Sequence, residues 1–101
     1  MIKHSESQEN FYLVRCADLQ AMVLSLSFEE AACEGLKNIL LKNGKNTNLS
    51  LIISVDKIKD PENETEVFYT SVILNDIGYF KLASSLESLS DFFLDKGENP
   101  H

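Results

Sequence analysis

The sequence predicts an α+β two-layer sandwich: a mostly antiparallel four-stranded sheet with two amphipathic helices on one face, in the order β-β-α-β-β-α. Three observations predict it. Residues 27–44 carry a full helix signature, with a cap, an apolar stripe and a terminal glycine. Two pairs of short β-type runs, 11–16 with 21–27 and 49–58 with 67–74, are each joined by a short polar segment. A second helical stripe, 79–94, follows the second pair. Strands that pair locally and helices that must bury one stripe give two layers. A small, strongly curled half-barrel sheet carrying the helices is the alternative.

The run FYLVRC (11–16) is of β type, and AMVLSLS (21–27) alternates Met22, Leu24 and Leu26 against Val23, Ser25 and Ser27, the pattern of a strand with one buried face. Ala17 to Gln20 suits a tight connection, but one longer bulged strand fits the same residues. In SFEEAACEGLKNILLKNG (27–44), Ser27 and Glu30 have the spacing of a capping box. Glu29 and Glu30 sit where the helix dipole favours anions. Phe28, Ala31, Ala32, Gly35, Leu36, Ile39 and Leu40 fall on one face, and Gly44 ends the pattern. Gly35 costs about 1 kcal/mol of helix propensity relative to Ala, so close packing on the sheet is the reason expected for it.

In LSLIISVDKI (49–58), Leu49, Leu51, Ile53 and Val55 form one face and Ser50, Ser54 and Asp56 the other, with Ile52 as an exception. A polar turn, DPENE, leads to VFYTSVIL (67–74), which is apolar on both faces and reads as a more central strand paired with 49–58 as a hairpin. The second helix, 79–94, places Tyr79, Leu82, Ala83, Leu86, Leu89 and Phe93 on one stripe. Residues 10–96 then form a single domain, with loose ends at 1–9 and 97–101.

Charge and composition narrow the function. A net charge of −7 disfavours nonspecific binding to nucleic acid or anionic membrane, because phosphate contacts need clustered cations. The charge is uneven, however. Residues 37–59 hold Lys37, Lys42, Lys45, Lys57 and Lys59 against Asp56 alone, a local balance of +4. A polar start, MIKHSESQEN, is unlike a secretory signal, and no apolar run reaches the roughly 20 residues of a membrane span. Cys16 and Cys33 then read as reduced thiols in a cytoplasmic protein, where the glycosylation-type triplets at Asn48 and Asn63 have no role.

The stretches FYLVRCADLQAMVLSLSFEEAACEGLKNIL and VFYTSVILNDIGYFKLASSL carry a resemblance. Over residues 10–90 the chain resembles small uncharacterised proteins encoded by tailed phages of marine cyanobacteria. That resemblance implies a setting, the host cytoplasm or the virion, and supplies no active-site residues.

No grouping with the spacing of a catalytic, metal or cofactor site stands out, so neither an enzyme nor a cofactor is expected. His4 and His101 are at the ends of the chain, the four glycines are scattered, and no nucleophile elbow is present. Glu29, Glu30 and Glu34, and the acids at 60–66, fit cap and solubility roles better than a catalytic pair, which needs partial burial. Two binding readings follow. The first is a self-associating interaction domain with Ile52, Phe68, Tyr69 and Val72 as its interface. The second is a nucleic-acid module using the Lys37–Lys59 stretch, with Phe68 or Tyr69 and Phe11 or Tyr12 as stacking platforms in a sheet face. In LNDIGYFKLA (74–83) the backbone of Gly78, Tyr79 and Phe80 is a weak anion turn; an Asx turn at Asp76 with positive φ at Gly78 is the structural reading.

Overall fold

The computed structural model describes residues 9–44, 48–58 and 64–88. In chain order these form β1 (Asn10–Cys16), β2 (Leu19–Ser25), α1 (Phe28–Asn43), β3 (Ile52–Lys57), β4 (Glu64–Tyr69) and α2 (Thr70–Asp76), followed by a third helical stretch, α3, at 80–88. The sheet order is β2-β1-β3-β4, and every neighbouring pair is antiparallel. The sheet does not close, and the helices lie on one face, so the two-layer α+β reading holds.

The inner face is set by register. Tyr12, Val14 and Cys16 of β1 oppose Val23, Ala21 and Leu19 of β2, and Val14 opposes Val55 of β3. These residues meet the buried stripe of α1, namely Ala31, Ala32, Gly35, Leu36, Ile39 and Leu40. Ile73 and Leu74 of α2 and Ala83 and Leu86 of α3 complete the core. Gly35 has the role its sequence position suggests. A Cβ built on it would lie 2.4 Å from Val14 Cγ2, so helix and strand touch where only a glycine fits.

The ends of α1 follow its signature. The Glu30 N–H donates to Ser27 Oγ at 3.1 Å. Glu30 Oε1 in return accepts from the Leu26 N–H at 3.2 Å, one residue ahead of the usual capping-box partner. Gly44 takes φ 90° and its N–H donates to the Leu40 carbonyl.

One open alternative is settled and two expectations are corrected. Residues 11–27 are two strands joined by the two-residue turn Ala17–Asp18, with Ala17 at φ 57°. Met22, Leu24 and Leu26 are exposed, and the buried face of β2 is the one that carries Val23 and Ser25. Residues 67–74 are not one central strand. The chain leaves β4 at Tyr69 and turns into α2 at Thr70, and β4 is an edge strand with little burial. The apolar residues that suggested a central strand are divided: Val67 and Tyr69 are exposed on β4, while Ile73 and Leu74 are buried on α2. Residues 89–94 of the second predicted helix lie outside the described residues, as do 1–8 and 97–101.

A polar node fixes that strand-to-helix switch. The Thr70 hydroxyl, fully buried, donates to the Ser50 carbonyl at 2.7 Å, and the Thr70 N–H donates to the Leu51 carbonyl. Ser50 Oγ donates to the Ile52 carbonyl and accepts from the Ala17 N–H, and Cys16 Sγ lies 3.5 Å from the same oxygen. One serine thus joins the β1–β2 turn, the entry to β3 and, through its carbonyl, the start of α2. Thr70→Val keeps the shape and removes the donor. It should cost about 1–3 kcal/mol in urea unfolding, because the part-buried Ser50 carbonyl keeps only the weak thiol contact from Cys16 at 3.7 Å; an unchanged midpoint would mean that the hydroxyl bond adds nothing to stability.

A candidate interface on the open sheet face

The sheet face away from the helices is formed by the alternate residues of each strand. Phe11 and Leu13 of β1 oppose Leu24 and Met22 of β2, and Ile52 of β3 opposes Tyr69 of β4. Among these, Tyr69 is 69% exposed, Val67 58%, and Phe11 and Met22 56% each. Two apolar clusters result. Phe11, Leu13, Met22 and Leu24 lie at the β2 side, while Ile52, Val67 and Tyr69 lie at the β4 side, where they and Phe68 line a shallow depression.

Between the clusters the face is polar and internally satisfied. Asp56 accepts from Arg15 at 2.6 Å and from the Thr65 hydroxyl at 2.6 Å. Its side chain is 13% exposed, although it stands on the open face. A covering surface need not supply a charge for Asp56, whose desolvation is already largely met, while the Arg15 side chain is still 50% exposed.

Of the expected interface residues, Ile52, Phe68 and Tyr69 surround one depression, and Val72 is exposed on α2. Phe68 points to the helix side, opposite Ile53, and is partly buried against the core. Tyr12 is likewise internal, in edge-to-face contact with Phe28 at 5.3 Å. The aromatic rings left on the open face are therefore Phe11 and Tyr69.

Three residues of the expected basic stretch can be placed. Lys37 and Lys42 are exposed on α1, Lys57 stands opposite Glu64 at the end of β3, and Lys45 and Lys59 lie outside the described residues. At the weak anion turn, the Tyr79 N–H donates to the Leu74 carbonyl and the Gly78 N–H to the Asn75 carbonyl, which closes α2 as a Schellman motif. Gly78 takes φ 92°, as the sequence required, but the turn joins two helices rather than a strand to a helix, and Asp76 ends the first of them. Only the Phe80 N–H of that trio is without such a role in closing α2.

Cys16 and Cys33 are free thiols. Burial, then the nearby Asp76 and Glu29 carboxylates, push the Cys33 thiol up, against a smaller opposing pull from Lys37. A protonated thiol is a poor nucleophile. Among the described residues no cluster of His, Cys, Asp and Glu has metal-binding geometry, and no helix is long and apolar enough to cross a membrane.

Sequence reasoning missed the β2 half of the open face. A signal was present. β2 carries apolar residues on both sides, and two helices on one layer can cover only one of them. Comparison with protein-family models, curated proteins and solved structures gives no match to this chain.

Proposed function

We propose that this chain is a non-enzymatic interaction domain that self-associates. The observation that carries the reading is the open sheet face, where large apolar side chains of all four strands stand about half exposed or more on either side of an ion pair. Apolar surface gathered on one face of a small domain marks an association site more often than scattered exposure does. Two of the carboxylates have structural duties: Glu30 caps α1 and Asp56 holds Arg15 and Thr65. The resemblance to the phage proteins supplies the setting we propose, the cytoplasm of an infected bacterium or the particle itself.

Light scattering on the size-exclusion peak, from low to high micromolar concentration, tests the reading. We expect a mass above that of the 11.4 kDa monomer that falls on dilution. A monomer at every concentration sinks it.

A further inference from the structure

Resting on that reading, we propose where two copies meet: along the free edge of β2, in an antiparallel pair centred on Met22, which joins two sheets into one of twice the width. The backbone supplies the first reason. Across the two-residue turn Ala17–Asp18, the closing pair Cys16 and Leu19 exchanges both hydrogen bonds, and so does every second pair after it, Val14 with Ala21 and Tyr12 with Val23. Gln20, Met22 and Leu24 consequently turn their N–H and C=O groups away from β1. The other side of β1 agrees, because the Phe11 carbonyl, opposite Leu24, accepts from the Ile58 N–H beyond the sheet pair. Among the described residues nothing pairs with that outer edge. It is a row of open donors and acceptors, the template that strand addition uses.

Symmetry supplies the register. With a two-fold axis perpendicular to the sheet, opposed residues must share a face, so Met22 can oppose Met22 of the second copy, with Gln20 opposite Leu24 on each side of the axis. Those are the three residues whose backbone points outward, and in this register each free group meets a partner.

Charge selects a second copy at this edge over the other one. Every copy carries −7, so copies repel wherever acids are exposed. Leu19–Ser25 holds no charged residue. The opposite edge strand, β4, carries exposed Glu64 and Glu66, which pairing there would bring against their own copies. Joining at β2 also makes the open faces continuous, with Met22 and Leu24 at the seam beside Phe11 and Leu13.

Disulfide trapping decides the register. In a Cys33→Ser background, with Cys16 buried, Met22→Cys and Leu24→Cys are oxidised side by side. Both positions are exposed, so the fold tolerates either change. In the proposed pair the two Met22 Cα atoms are about 5.5 Å apart, inside the roughly 4.4–6.8 Å that a disulfide spans. The two Leu24 positions are offset by about 13 Å along the strands. We expect covalent dimer from Met22→Cys at about tenfold or more the yield from Leu24→Cys. If light scattering shows an oligomer but Met22→Cys does not cross-link, the β2 pairing is wrong and the interaction reading stands. Equal yields at both positions, the mark of random collision, overturn the pairing too. A monomer with no cross-link at either position overturns both proposals.

Discussion

Gly35→Ala should destabilise the fold by about 2–4 kcal/mol, although the same change in an exposed helix would stabilise it by about 1 kcal/mol. The new methyl carbon would lie 2.4, 2.5 and 2.7 Å from Val14 Cγ2, Cβ and Cγ1, all well inside van der Waals contact. None of those atoms can swing aside. Val14 is β-branched, fully buried and in a central strand paired on both sides. The overlap must instead be relieved by lifting α1 off β1, which loosens Leu36 and Ile39 along the same stripe. Urea unfolding of Gly35→Ala, Val14→Ala and the double variant checks the mechanism as well as the magnitude. Both residues act at one contact, so the double variant should be more stable than the two single losses predict, by about 1 kcal/mol or more. Strict additivity would mean that the cost arises elsewhere, and an undiminished Gly35→Ala protein would mean that helix and sheet are not in contact there.

The glycine could be placed from sequence because its reason is local: a glycine in the middle of an apolar helical stripe gives up helix propensity, and close approach to a neighbouring element offsets that loss. The cap at Ser27, the stop at Gly44 and the positive φ at Gly78 are local in the same way, and all are found. What sequence did not settle depends on partners distant in the chain. Met22 and Leu24 alternate as a core face would, and only the packing of α1 over Val23 and Ser25 decides that they point outward. The boundary at Tyr69 was hidden for a different reason. That residue begins α2 without a side-chain cap, and Thr70 and Ser71, the polar pair inside the run from Val67 to Leu74, suit a strand as well as a helix start. The contacts that turn the chain there come from Ser50 and Leu51, nearly twenty residues earlier. Asp56 shows the same limit. Alternation assigned it correctly to the face opposite Ile53 and Val55, but its burial beneath Arg15 and Thr65 needs strands β1 and β4 in place. The candidate interface was accordingly half legible. Ile52 stood out as an exception to its pattern and Tyr69 as part of a run apolar on both faces, whereas the β2 side was apolar in a way that mimicked a core.

Tyr12→Ala should remove about 3–5 kcal/mol, the loss typical of a large aromatic truncated in a core, out of roughly 5–15 kcal/mol for a domain of this size. Tyr12 is 1% exposed on a central strand, with its ring set edge-to-face on Phe28 at 5.3 Å and 72°. Truncation opens a cavity beneath the first turn of α1, where backbone pairing on both sides of β1 limits collapse. Tyr12→Phe separates the ring from the hydroxyl, and pH makes the separation measurable. Burial, reinforced by Glu64, Glu30 and Glu66, pushes the Tyr12 phenol above its ordinary value. The folded state therefore holds this proton more tightly than the unfolded chain. Stability is unaffected by it below the unfolded value of about 10, and it falls as pH rises from there through the folded value. Cys33, raised by burial first, acts in the same direction from about pH 8.5 upward. Unfolding free energy measured between about pH 8 and 11 should decline for the native chain, decline less for Cys33→Ser at the start of that range, and decline less for Tyr12→Phe at its end. A Tyr12→Phe curve parallel to the native one up to about pH 11 would show that the phenol is hydrated in the folded protein. In that case the ring packs as described but the hydroxyl reaches water, and the loss in Tyr12→Ala would belong to the ring alone.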